Sequence, residues 1–398
     1  MRKLRVGVWI PDQYEPTVGG GFSYFDALLG KITQHTFEHA EVTLIYHRAN
    51  EGLLPAGVPK HKMVNFPYQI PNPSVFDKSI HKLRKILQMK TTAYDYSKLL
   101  KEAKKKLRNE LLDVVDLVYY ITPSFIIEEV PFIYTLWDLG HLSTYPFPEW
   151  AGWGNYEARD KHLRMEVSKA MKILVESETG KKEAQKYLNI HPSRFAVVPL
   201  FPSGIVFENV NSIRPEQISE DADFIHYPAQ FWPHKNHYNL LLAFKQVLLE
   251  YPNLRLILTG SDKGNLDYII ESIKRLNIVS SIVILGFVEN ENLKWLYQNS
   301  KALVMPTFLG PTNMPLLEAA HFGCPVICSD LPGHRELLGE NALYVNPTSP
   351  TALFGAIIKT IESPVYPVVN TFFALNSSVG NLELVFSELK FVRHTWGK

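Results

Sequence analysis

Lys235 stands in the run Tyr227-Pro-Ala-Gln-Phe-Trp-Pro-His-Lys-Asn-His237, which follows an apolar strand pattern and opens an amphipathic helix on Leu240, Leu241, Phe244, Val247 and Leu248. A lysine beside a helix start adds a full charge to the partial positive end of the helix dipole, an arrangement that suits a diphosphate. His234 and His237 are three apart, but no carboxylate or third histidine completes a metal set. Solvated helix-start histidines are the better reading, and no metal site is expected.

Three further segments place chemistry-bearing residues where strands end. In Phe308-Leu-Gly-Pro-Thr-Asn-Met-Pro-Leu-Leu-Glu-Ala-Ala320, Gly310-Pro311 makes a turn, Asn313 can cap a helix and Pro315 fits its first turn. Backbone N–H groups from Thr312 to Leu316, including Asn313 and Met314, are expected to point into a cleft. Glu318 is read in that first turn, either holding the two hydroxyls of a ribose or acting as a helix-dipole partner. Thr135-Leu-Trp-Asp-Leu-Gly-His141 puts Asp138 and His141 at a strand's carboxyl end, as proton-transfer or sugar-contacting groups or as a structural Asp–His pair. Gly19-Gly20-Gly21 precedes a helix near Phe22 and reads equally as a phosphate-approaching loop or a plain flexible turn. It does not match G-x-G-x-x-G, so a dinucleotide site is disfavoured.

The elements that must carry these residues alternate. Strand patterns at Leu4–Ile10, Val42–Tyr46, Leu117–Ile121, Phe132–Leu136, Ile173–Val175 and Phe195–Val198 are followed, after a polar gap, by six more. Those lie at Phe224–Tyr227, Leu254–Leu258, Ile282–Leu285, Ala302–Met305, Val326–Cys328 and Ala342–Val345. Helical patterns begin near Phe22, Tyr156, Glu178, Asn236, Asn265, Asn290, Asn313 and Pro350. This alternation predicts an α/β fold with parallel sheets covered on both faces. The Pro-, Gly- and acid-containing stretch between Pro202 and Asp223 divides the chain into two halves. Ligands of such sheets bind beyond the strands' carboxyl ends, so a cleft between halves is expected.

With 398 residues, 46% apolar and 20% charged, the chain is an ordinary globular sequence of two or three domains by length, at roughly 100–200 residues each. Two cysteines, Cys324 and Cys328, exclude a disulfide framework and suit a reducing compartment. No apolar run is long enough to span a membrane, and Pro11-Asp12 ends the first one where a signal peptide would be cleaved. The net charge of +1 conceals a basic block. Lys78 to Arg108 holds eleven Lys/Arg against two acids, +9, which leaves −8 for the rest. Leu99, Ala103, Leu107 and Leu111 make one face of a helix there, with lysines between them. The block reads as a solvated helix surface, or as a patch for an anionic membrane or a phosphate-bearing acceptor. No recognised nucleic-acid motif accompanies it.

Pro315-Leu-Leu-Glu-Ala-Ala-His-Phe-Gly-Cys-Pro-Val-Ile327, followed by Ser329 and Pro332-Gly-x-x-Glu336, resembles the signature of the GT4 family of glycosyltransferases. Lys235 before a helix, the Leu285-Gly-Phe-Val288 step and Asn341-Ala-Leu-Tyr-Val-Asn-Pro347 fall in that family's order and spacing. The likeness is strong from Phe224 to Ile361 and weaker before. It implies the GT-B architecture: an acceptor-side Rossmann-like domain (1–202), a linker (203–222), a nucleotide-sugar-binding Rossmann-like domain (223–362) and a tail (363–398) expected to return to the first domain.

The resemblance further implies a retaining, metal-independent hexosyltransferase with no cofactor. It would move sugar from a nucleotide-sugar donor to a glycan or lipid-linked acceptor in cell-surface polysaccharide synthesis, in the cytoplasm or at the inner membrane face. By the same resemblance Lys235 neutralises the diphosphate, with Gln230 in the donor site, and Glu318 holds the ribose. Asn313 and Met314 meet the phosphates, Phe287 and Val288 border the base, and Gly20 and Gly21 close from the other domain. Asp138 and His141 are the expected catalytic residues, with His141 standing in for a histidine whose usual place is taken by Trp137.

Two further departures stand out. Gly310 occupies a common glutamate position eight residues before Glu318, and Gln230 a common arginine position five before Lys235. A non-catalytic glycan- or nucleotide-binding partner of a membrane assembly therefore stays open as an alternative, as does a GT-B nucleotide-sugar epimerase.

Overall fold

The computed structural model describes residues 2–12, 20–48, 51–66, 96–124, 126–127, 129–152, 154–207 and 209–396. Residues 78–95 of the basic block, and Gly19, lie outside the described residues.

The first sheet has seven parallel strands in the order β3-β2-β1-β4-β5-β6-β7. They are β1 Leu4–Trp9, β2 Ala40–Tyr46, β3 Lys60–Lys62, β4 Leu117–Tyr120, β5 Phe132–Thr135, β6 Lys172–Val175 and β7 Phe195–Val197. The second has six, in the order β10-β9-β8-β11-β12-β13: β8 Phe224–Pro228, β9 Arg255–Thr259, β10 Ile282–Gly286, β11 Leu303–Met305, β12 Val326–Ser329 and β13 Leu343–Val345. The longer helices are α1 Gly20–Gln34, α2 Tyr96–Val114, α3 Glu178–Leu188, α4 His237–Glu250, α5 Leu266–Arg275, α6 Asn290–Asn299, α7 Met314–His321, α8 Pro332–Leu338, α9 Pro350–Glu362 and α10 Leu375–His394.

Strand β4 shows why the sheet is covered on both faces. Leu117 and Tyr119 enter one apolar cluster while Val118 and Tyr120 enter another, all fully buried. Successive strand side chains point to opposite faces, so a strand apolar at every position needs helices on both. In each sheet the strand order reverses once, between β1 and β4 and between β8 and β11. Loops leaving such a pair of neighbours diverge to opposite faces and open a crevice at their carboxyl ends.

The twelve strands read from the sequence are present. The thirteenth, β3, is a polar edge strand, Lys60-His61-Lys62, with no apolar alternation to announce it. The last helix, α10, packs on α1, β1 and β2 of the first sheet. Glu383 accepts hydrogen bonds from the N–H groups of Glu38 and His39, both 3.0 Å, and Ser378 donates to the Pro199 carbonyl at 2.7 Å. Lys172 pairs with Glu388 at 2.7 Å. In α2, Leu107 and Leu111 are buried while Lys101, Lys105, Lys106 and Arg108 face solvent, so the described part of the basic block is an amphipathic helix. Lys104 is ion-paired with Glu129 at 2.7 Å.

Candidate active site

The loops leaving β8 and β11, neighbours at the second sheet's reversal point, carry Lys235 and Asn313. A cleft of about 570 Å³ lies between the two sheets. Gly21, Trp137, Asp138, Glu149 and Glu176 line it from the first, and Gln230, Lys235, Thr312, Asn313 and Met314 from the second.

The Lys235 backbone is pinned by the Tyr227 hydroxyl, which donates to its carbonyl at 2.7 Å. The Lys235 ammonium donates to Asn313 Oδ1 at 3.3 Å, and among the described residues no carboxylate lies within ion-pair distance of it. Burial lowers its pKa to about 8, with Asp138 across the cleft pulling the other way. A half-buried cation with only an amide for company is a site for an anionic ligand.

Asn313 starts α7, but its side chain does not cap the helix. Instead the amide Nδ2 donates to His334 Nε2 at 2.9 Å, and His334 Nδ1 donates to the Ser329 carbonyl at 2.8 Å. Fewer amides are free at this helix start than the sequence suggested. Pro315 has no N–H and Leu316 N–H is taken by Asn313 O at 3.1 Å. Those of Thr312, Asn313 and Met314 are left.

Gly310 has φ +153°, and a Cβ there would overlap the Asn313 side chain. The turn thus excludes any side chain at this position, including a glutamate. Gly333, at the start of α8, lets that helix approach until a Cβ would overlap the Pro311 carbonyl. Three hydrogen bonds close the same seam. Glu336 on α8 accepts hydrogen bonds from the N–H groups of Glu178 and Thr179 at the start of α3, at 2.8 and 2.7 Å. Thr312 donates to Glu176 at 2.6 Å.

Asp138 lines the cleft, and its Oδ1 accepts from Gly140 N at 2.7 Å and Arg159 Nη2 at 2.6 Å. It does not pair with His141. That histidine is 3% exposed, lies edge-on to Tyr156 with both ring nitrogens unpartnered, and is not part of the cleft lining. Burial lowers its pKa. Gly21 lines the cleft at the start of α1, where Gly20 is the first residue.

The Gln230 amide is occupied: its Oε1 accepts from Trp232 Nε1 at 3.0 Å and its Nε2 donates to Ser261 at 3.2 Å. Phe287 is 59% exposed and Val288 packs beside Phe224 and Leu296, both outside the lining of the cleft.

Glu318 falls in the second turn of α7, not the first. It is buried, accepts hydrogen bonds from the hydroxyls of Tyr297, at 2.6 Å, and Ser203, and does not line the cleft. Burial raises its pKa. The two helix-start histidines are likewise buried rather than solvated. His234 pairs with Glu149, on the one-turn helix Pro148–Ala151, and His237 stacks on Phe231 at 4.7 Å. Among the described residues no three His, Cys, Asp or Glu side chains group as a metal site. Cys324 and Cys328 are buried free thiols.

Glu176, Glu149, Arg159 and His334 were not singled out from the sequence, and Thr312 only for its backbone N–H. Only Glu176 carried a signal, an acid just past the strand pattern Ile173–Val175. Glu149 meets His234 across 85 residues of chain, which no local pattern reveals.

Two parallel, helix-covered sheets facing a cleft at their strands' carboxyl ends are the GT-B arrangement of glycosyltransferases. Sucrose-phosphate synthase from Thermosynechococcus elongatus shares it with a TM-score of 0.66 at 15% identity, covering 98% of this chain and 99% of that one. Anabaena HepE, solved in complex with UDP and glucose, shares it with a TM-score of 0.58 at 17% identity, covering 97% and 95%. Residues 209–370 match the family described as Glycosyl transferases group 1.

O-antigen chain mannosyltransferase RfbU of Salmonella typhimurium is 29% identical over 203 residues, 50% of this chain and 53% of that protein. O-antigen chain mannosyltransferase B of Escherichia coli is 25% identical over 239 residues, 58% and 62%. The chain spans little more than half the length of these relatives. No described helix is long and apolar enough to cross a membrane.

Proposed function

We propose that the protein is a retaining glycosyltransferase that moves a hexose from a nucleotide-sugar donor to a glycan acceptor in polysaccharide synthesis, with no resident metal or cofactor. The observation that carries this reading is Lys235, a half-buried ammonium without a carboxylate partner, in a cleft bordered by the amides that start α7. In glycosyl transfer the bond from the anomeric carbon to the β-phosphate oxygen breaks, and the acceptor oxygen bonds to that carbon. The acceptor's proton leaves with the departing diphosphate. Charge develops on the phosphate, and a fixed cation with aligned amides stabilises it there. Asp138, held by Arg159 in the opposite wall, is placed to accept hydrogen bonds from sugar or acceptor hydroxyls.

The names of the relatives favour mannose as the sugar and an O-antigen-type glycan, lipid-linked while it is built, as the acceptor. The exposed lysines of α2 favour an anionic membrane surface, at the cytoplasmic face, as the place of work. The test is incubation with a panel of UDP-, GDP- and dTDP-sugars plus acceptor extract, with and without EDTA. Release of nucleoside diphosphate that Lys235→Ala abolishes supports the transferase. Donor binding without release over any acceptor overturns it in favour of a non-catalytic binding protein. For the surface, salt-sensitive binding to vesicles containing an anionic lipid should be lost when Lys101, Lys105 and Lys106 are changed to Glu.

A further inference from the structure

Glu176 follows β6 and enters the cleft from the wall opposite Lys235. It is 8% exposed, one of its oxygens accepts the Thr312 hydroxyl at 2.6 Å, and among the described residues no cation lies within ion-pair distance. Asp138, the neighbouring carboxylate, has Arg159 to itself. A buried carboxyl group that lacks a cation needs further hydrogen-bond donors, and a cleft-lining one can take them from a ligand. The charge of the cleft defines that ligand. A second anion beside two carboxyl groups is disfavoured, whereas neutral hydroxyl groups are donors to either protonation state.

Position along the loop says which hydroxyls. Thr312 is bonded to Glu176, and the next residue, Asn313, is bonded to Lys235. A diphosphate seated on Lys235 therefore brings the group attached to its far end to Thr312 and Glu176. The turn itself cannot provide a carboxylate there, because Gly310 has no room for a side chain.

We propose that Glu176 holds a hydroxyl of the donor's sugar, and so positions the sugar and selects among sugars. This rests on the transferase reading above. Burial, with Asp138 adding to it, raises the Glu176 pKa to about 7 while the Thr312 bond opposes, in keeping with a group that lacks a charged partner until a polar ligand arrives.

The experiment uses GDP-mannose, UDP-glucose and the monodeoxy analogues of each sugar, with calorimetric affinities and, where transfer occurs, kcat/KM. Expected for Glu176→Ala is a loss of roughly tenfold to a hundredfold with the intact donor, the scale of a hydrogen bond to an ionisable group. Affinity for the nucleoside diphosphate alone should stay within about twofold of the parent chain's, since the sugar is the only part removed. One deoxy donor should cost the parent chain the same factor and cost Glu176→Ala nothing further, and Glu176→Gln should recover part of the loss. A merely structural role would instead weaken all ligands alike and leave every deoxy penalty in place, and that result overturns the proposal. So does a penalty that vanishes only with deoxy acceptors. Failure of the parent chain to bind either donor or its diphosphate, or diphosphate binding that survives Lys235→Ala, overturns the transferase reading itself.

Discussion

Lys235 and Asn313 are joined at 3.3 Å, and the amide can face the lysine in only one way. The His334 Nδ1 proton is committed to the Ser329 carbonyl, so its Nε2 is an acceptor and must receive the Asn313 NH2. Burial lowers the His334 pKa to about 4, which keeps the ring neutral at pH 7. The amide oxygen is left for the ammonium. A buried histidine in the Pro-Gly-x-x-Glu segment thus orients the cation of the cleft without touching it.

Changing Asn313 to Asp should place a carboxylate where the amide was, neutralising Lys235. Nucleoside diphosphate affinity should fall about tenfold or more, since an adjacent opposite charge removes the advantage of an unpaired cation. Calorimetry with UDP and GDP checks this, and unchanged affinity would show that the phosphates do not sit on Lys235.

The lowered pKa of Lys235, about 8, gives a pH dependence. The ammonium binds the diphosphate and the free amine does not. Affinity should be level below pH 7 and fall as pH rises through 8, by up to about tenfold per unit. Lys235→Arg keeps its charge throughout and should give a flat profile from pH 7 to 9.

The Glu336 carboxylate holds two α3 amides across the seam between the sheets. Removing it in Glu336→Ala uncovers two helix-start donors and should cost about 1–2 kcal/mol of stability. The two halves should also separate more freely, read as a larger radius of gyration by small-angle scattering. An unchanged radius with an unchanged melting temperature would refute the role.

Glu176 should make the folded chain less stable as pH rises. Its folded pKa, about 7, lies above that of a free glutamate, so between about pH 4.5 and 7 the unfolded chain releases this proton first. The penalty is absent at pH 4 and complete above pH 7, on the order of 3 kcal/mol. Glu176→Gln should therefore melt higher than the parent chain at pH 8 and about equally at pH 4, a gain at the expense of sugar binding. Equal melting at both values would refute the buried carboxyl without a cation partner.

Much of the fold was legible in the residues. Strands such as Leu117–Tyr120 are apolar at every position, and only a sheet covered on both faces accommodates that. The polar edge strand Lys60–Lys62 carried no such mark, because an edge strand can form through its backbone alone. Helix α8 escaped for a related reason: its seven residues, Pro332–Leu338, are too few to show periodicity. Of the candidate site, Lys235, Asn313, Asp138 and Gly21 were found because helix starts and strand ends are local features, and they do line the cleft.

By itself the sequence determined the two α/β halves and which loops end at strand tips, since periodicity and turn chemistry act over a few residues. Only the tertiary structure decided what each side chain is paired with. Glu318, read at a helix start, is spent on Ser203 and Tyr297. His141 is buried beside Tyr156, and His234 is tied to Glu149. Glu176, passed over in the sequence, faces Lys235 across the cleft. The physical reason is that hydrogen bonds and burial depend on distances between residues far apart in the chain, 136 positions for Thr312 and Glu176, and no local pattern encodes those distances.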